Sequence, residues 1–187
     1  LLWNIRKLDA LTKRFHGETL DLHLPDMRAW QALMDLLQLT EGQFTCPFTV
    51  QPRLVRDGLL LDNDDIRVSA LHTRHLPHQE GEPWRAFGFV IETAGRKVVY
   101  SGDTGGVADF AALLEGCDLL LVETGHHQPV ALVQELLALD KLPGTVGFIH
   151  HGRTILDNHD QVKKQLDQMI PGRFIIFADG DRFLLKK

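Results

Sequence analysis

VVYSGDTGG, residues 98–106, stops a β-branched apolar run on a turn that presents Asp103 between Gly102 and Thr104-Gly105-Gly106. Asp and Gly are the ordinary material of tight turns, so one reading is purely local. In the other, a rigid strand delivers a carboxylate to a site. The choice depends on what else in the chain ends a strand in the same way.

Working outward, 66–73 (IRVSALHT), 85–93 (RAFGFVIET) and 97–102 (KVVYSG) read as strands, the last two joined by the turn Ala94-Gly95-Arg96. Further upstream, helices are predicted over 1–15 and over 26–39, the latter with Asp26 as N-cap. Strands are predicted over 19–24, 48–50 and 53–62, the last with a turn at Asp57-Gly58. Downstream the rhythm changes. Helices over 107–116, 130–139 and 158–170 alternate with strands over 118–123, 145–150 and 173–179. Strands first and then α/β alternation predict a layered α/β fold, sheets covered by helices. With no internal repeat and no linker, residues 1–187 read as one domain.

Composition narrows the class. A chain of 187 residues can bury about 70% of the surface its unfolded form exposes. A net charge of −5 argues against a broad nonspecific grip on nucleic acid. Cys46 and Cys117 form neither a ligand pair nor a disulfide framework, which makes a reducing, cytoplasmic setting the default. The longest apolar runs, such as LLLV at 119–122, are far too short to span a bilayer, and no membrane partner is expected.

The chemistry-bearing residues fall at strand ends. His75 follows IRVSALHT, Asp103 follows KVVYSG, Glu123 ends DLLLVE and His150 ends TVGFIH. In sheet-based α/β folds the carboxyl ends of strands are where sites are built. A carboxylate and two imidazoles arriving from separate strands suit a borderline-soft divalent metal, zinc above all. Each residue alone has an ordinary structural reading: a satisfied histidine, a turn aspartate, a glutamate where a strand leaves the core. Repetition of the pattern at four strand ends is what favours a site. Neighbours on an extended chain face opposite sides, so at most one of His126 and His127, and one of His150 and His151, is expected to face it.

The ordered set ALHTRH, AFGFVIE, VVYSGDT, DLLLVET and GFIHHGR resembles the metallo-β-lactamase superfamily, and within it the ribonuclease Z branch. The resemblance covers nearly the whole chain. It implies a four-layer αββα sandwich with a site for two divalent ions, zinc or else manganese or iron, at one edge. By the same resemblance His75 and His150 are terminal metal ligands and Asp103 bridges the two ions. Glu123 resembles the glutamate that orients a histidine near the scissile bond, and His127 (or His126) stands where that general acid would be. Two departures accompany the match. The family's His-x-His-x-Asp-His cluster does not occur, and the chain opens on Leu1-Leu2-Trp3, so it reads as the later part of the fold with the N-terminal part missing. Between Phe89 and Ser101 a plain hairpin replaces the long arm with which ribonuclease Z grips transfer RNA, so transfer RNA is disfavoured.

The expected function is a metal-dependent hydrolase acting through a metal-activated water on a phosphodiester, with a small-molecule or nucleotide-type substrate. A lactone, thioester or carboxylic ester substrate on the same metal site is the alternative, and a non-catalytic module or inactive fragment is the third. For this chain alone, weak metal binding and no useful turnover are expected. A homodimer is left open.

Overall fold

The computed structural model describes residues 2–42 and 44–185. The chain forms two compact units, residues 1–55 and 56–187.

In the first unit, helix α1 (Leu2–Thr12), strand β1 (Thr19–Leu24), helix α2 (Met27–Glu41) and strand β2 (Thr49–Leu54) follow one another. Strands β1 and β2 pair in parallel, so α2 is the crossover of a βαβ turn. Asp26 caps α2 as expected, its side chain accepting from the Arg28 amide. Two sequence expectations are corrected here. Helix α1 ends at Thr12 rather than at 15, because the buried Asp9 carboxylate accepts from the Phe15 amide at 2.6 Å and Lys13 takes a left-handed φ of 56°. The run 53–62 splits at its turn, residues 53–54 closing β2 and Gly58–Asp62 forming β3 in the second unit. Leu1, the first residue of the predicted helix, lies outside the described residues.

The second unit is built on a seven-stranded mixed sheet whose spatial order equals its sequence order. Strands β3 (Gly58–Asp62), β4 (Arg67–His72), β5 (Phe87–Thr93) and β6 (Arg96–Tyr100) run antiparallel as a meander. The β5–β6 turn places Ala94 and Gly95 at φ of 49° and 73°, the left-handed pair that a tight two-residue hairpin needs. Strands β7 (Leu119–Thr124), β8 (Thr145–His151) and β9 (Phe174–Ile176) then continue from β6 in parallel. Helices α3 (Pro129–Ala138) and α4 (Arg153–Met169) supply the crossovers that parallel pairing demands. Strand β7 is almost wholly buried, which is why LLLVET reads as a continuous apolar run rather than an alternating one. Val99, Leu120, Val122, Val146 and Phe148 from the strands pack with Leu136 and Leu166 from the helices to form the core.

The predicted helix 107–116 is instead two short 3₁₀ turns, Val107–Asp109 and Ala111–Leu113. Val107, Phe110 and Leu113 recur every three residues, the period of a 3₁₀ helix, and the first two are fully buried. Helix α4 begins at Arg153, five residues before the predicted start, and Asn158 sits at a kink inside it (φ −138°, ψ 35°). Its buried stripe starts earlier than the polar NHD stretch suggests, at Ile155, and continues through Val162 and Leu166.

The topology decides where a site can form. Strands β6, β7 and β8 are mutually parallel, and β4 runs parallel to β6 because both are antiparallel to β5. The carboxyl ends of all four therefore reach one edge of the sheet. That edge receives His75, Asp103, Glu123 and His150.

Candidate metal centre

Asp103 leaves β6 through Ser101 and Gly102. Gly102 adopts φ +60°, and a Cβ built there would stand 2.2 Å from the Phe87 carbonyl oxygen. Only glycine turns the chain at this point without displacing a backbone neighbour. The turn is then pinned from three sides. The Thr73 hydroxyl donates to the Asp103 carbonyl at 2.6 Å, the Thr104 amide to Glu123 Oε1 at 3.0 Å, and the Gly105 amide to Asp109 Oδ2 at 2.8 Å.

His150 reaches the edge by a defect in β8. The β7–β8 register passes from Glu123↔Ile149 to Thr124↔His151, so His150 is bulged out of the ladder, with a left-handed φ of 48°. A bulge of this kind re-aims one side chain. His150 Nδ1 then lies 2.9 Å from Asp103 Oδ1 and 3.9 Å from Glu123 Oε2. Its neighbour His151 points elsewhere: Nε2 donates to the Phe177 carbonyl at 2.7 Å, leaving Nδ1 to accept from the Thr124 hydroxyl at 2.9 Å. Gly125 keeps the space narrow, since a Cβ there would meet His150 Nε2 at 3.2 Å and Glu123 Oε2 at 3.3 Å.

Glu123 is 1% exposed, a carboxylate at the end of an otherwise apolar strand. Burial pushes its pKa up, but the Thr104 amide, the His126 imidazole and the His126 amide outweigh burial and hold it below the usual glutamate value. His126 Nδ1 donates to Glu123 Oε2 at 2.7 Å. His127 is held differently, its Nε2 donating to the Thr104 carbonyl at 2.8 Å and lying 3.9 Å from Glu123 Oε1. His75 joins from the loop after β4, with Nε2 3.9 Å from Asp103 Oδ2 and its ring 4.6 Å from that of His126.

Asp103, Glu123, His126 and His150 each offer one donor atom within 4.8 Å of the others, the cluster of metal-donor type among the described residues. The two carboxylates bring negative charge that a divalent cation would balance, and the N/O donor set suits zinc. His72, the last residue of β4, and His78 in the following loop are engaged elsewhere. His72 and His78 stack on Trp84 at centroid distances of 4.0 and 3.9 Å, nearly parallel to it. At that spacing both cannot share one face of the indole, so they clasp it from opposite faces. His72 also binds Asp57, through Nδ1 at 2.6 Å, and His78 binds the Glu82 carbonyl. Sequence reasoning singled out the strand-end residues and left His126 against His127 open. It did not find Asp109, which reads as one more helix residue.

The Beta-lactamase superfamily domain matches residues 7–175. The chain belongs to the beta-lactamase superfamily. No curated protein sequence is detectably similar to it. Among solved structures, this superfamily member resembles the metallo-beta-lactamase fold protein YhfI from Bacillus subtilis, with a TM-score of 0.62 and 16% identity over 91% of this chain and 65% of that one. It resembles Zn(2+)-bound PqqB from Methylobacterium extorquens at a TM-score of 0.62 and 14% identity, over 98% of this chain and 68% of that one. A diphosphatase from the PhnP family gives a TM-score of 0.57 and 15% identity, over 99% of this chain and 66% of that one. The superfamily chain thus spans about two thirds of the length of these structures. Among the described residues no helix is long and apolar enough to cross a membrane.

Proposed function

We propose that the chain carries the site of a metal-dependent hydrolase of the ribonuclease Z-like branch, acting on a phosphodiester in a small-molecule or nucleotide-type substrate. The observation that carries this reading is the gathering of Asp103, Glu123, His126 and His150 within 4.8 Å at the carboxyl edge of the sheet, with His75 outside that cluster but its Nε2 3.9 Å from Asp103 Oδ2. The superfamily membership and the likeness to a zinc-bound structure and to a diphosphatase support it.

In this reading His75, Asp103 and His150 would hold the metal. Bound there, zinc supplies a water acidified to near neutral pH and a positive clamp for the substrate oxygen. The protein's own groups do the rest. Glu123, buried and charged, fixes the His126 tautomer with Nδ1 protonated, which leaves Nε2 to carry a proton to or from the leaving group. His126 fits that role better than His127, whose Nε2 proton is committed to the Thr104 carbonyl.

The test pairs zinc stoichiometry with turnover of bis(4-nitrophenyl) phosphate, a phenyl ester and a thioester by the purified full-length protein. Bound zinc with preference for the phosphodiester is the expected result. Preference for the ester or thioester would overturn the phosphodiester reading and favour the carboxylic-ester alternative. Failure to bind zinc would overturn the metal reading itself.

A further inference from the structure

We infer that Asp109 is the positioning residue that holds the His75 loop and the Asp103 turn in register, and so sets the spacing of the metal donors. The inference rests on the metal reading above but has its own geometry. Thr73 and Arg74 lead into His75, and Asp103 to Gly106 form the turn after β6; the two stretches come from strands that are not neighbours in the sheet.

Asp109 lies on the first 3₁₀ turn, with its side chain 3% exposed, and bonds to both stretches. Oδ2 accepts from the Arg74 amide at 2.8 Å, the Gly105 amide at 2.8 Å and the Thr104 hydroxyl at 3.0 Å, while Oδ1 accepts from Arg74 Nε at 2.8 Å. One carboxylate thus ties the residue immediately before His75 to the two residues immediately after Asp103. Gly105 lets the stretches approach, since a Cβ there would lie 3.2 Å from both the Arg74 carbonyl and Asp109 Oδ2. Satisfying three donors with one oxygen and a guanidinium with the other fixes direction as well as distance.

Asp118 provides the control. It makes a similar pair of bonds, from Arg96 Nη1 at 2.6 Å and the Lys97 amide at 2.8 Å, just before β7 and therefore at the opposite edge of the sheet. The experiment compares Asp109→Asn, Asp118→Asn and the milder Thr104→Val, which removes the hydroxyl's contacts with Asp109 and Gly106 and leaves the Arg74 pair. Amide hydrogen exchange is followed in the metal-free protein, and zinc affinity is measured by chelator competition. With Asp109→Asn, the Arg74 and Gly105 amides should exchange at least tenfold faster together, and zinc affinity should fall at least tenfold. Thr104→Val should move both readouts in the same direction by a few-fold, and Asp118→Asn should leave both within twofold. Unchanged exchange at Arg74 and Gly105 in Asp109→Asn, or equal zinc losses in the Asp109 and Asp118 variants, would overturn the inference. Should Asp109→Asn fail to fold, Thr104→Val decides. If the wild-type protein binds no zinc the metal reading fails, while the exchange data still judge whether Asp109 couples the two stretches.

Discussion

Replacing Gly102 with alanine should show how tightly the sheet edge constrains Asp103. Two costs combine. Alanine in a left-handed conformation, here at φ +60°, is unfavourable by about 1–2 kcal/mol. The new Cβ would also stand 2.2 Å from the Phe87 carbonyl oxygen, where carbon–oxygen contacts ordinarily begin at about 3.3 Å. About 1 Å of movement must come from the backbone on one side, because the obstructing atom is not the end of a flexible side chain. Strain from such overpacking is about 1–3 kcal/mol, so the total destabilisation should be about 2–5 kcal/mol. Gly116→Ala isolates the first cost, since Gly116 has φ +65° and nothing within 4 Å of a built Cβ. Urea unfolding of both variants gives the difference, expected at about 1–3 kcal/mol. Movement on the Gly102 side displaces Asp103 relative to His150, now 2.9 Å distant, so zinc affinity should fall in Gly102→Ala and hold in Gly116→Ala. Equal unfolding free energies for the two variants would refute the steric reasoning.

Glu123→Gln should separate orientation from ligation. The amide places a donor against the Thr104 or His126 N–H, at a cost of about 1–3 kcal/mol, and turnover should drop while bound metal stays nearly constant; loss of metal would show Glu123 to be a ligand. Stability of the metal-free protein should fall on acidification. Glu123 and Asp109 both have folded pKa values held below the ordinary carboxylate range, so their contribution is complete above about pH 4.5 and is lost as pH falls through the folded values. Urea midpoints that stay constant from pH 7 to pH 3 would contradict this. Phe148→Ala, at a wholly buried position of β8, should cost about 3–5 kcal/mol by calorimetry or urea titration. A cost below 1 kcal/mol would mean that β8 is not packed as described.

What the sequence determined by itself is the succession of strands and of helices α3 and α4 in the second unit and the arrival of donors at strand ends. Those properties are local. The period of apolar residues separates strand from helix, and a strand's polar terminus marks where it leaves the core, as SGDT does after KVVY. Even the N-cap of α2 was legible, because Asp26 acts on an amide two residues away. Some boundaries went astray where a side-chain bond outside the local turn accompanies the break. Asp109, on a 3₁₀ turn where a helix was predicted, bonds Arg74, 35 residues earlier, and the Asp9 carboxylate captures the Phe15 amide just beyond the end of α1. The parallel pairing of β1 with β2 was equally invisible, since period 2 says which face a residue takes and nothing of which strand lies beside it.

Only the tertiary structure decided which histidine of each pair faces the site. His150 and His151 are equivalent in the sequence; one missed step in the β7–β8 ladder and one left-handed φ aim the first at Asp103 and leave the second bound to Phe177. His126 and His127 differ likewise by whether Glu123 or the Thr104 carbonyl captures the ring. Side-chain direction at a bulge or turn is set by long-range hydrogen bonds and close backbone approaches. Neither has a period to be read along the chain.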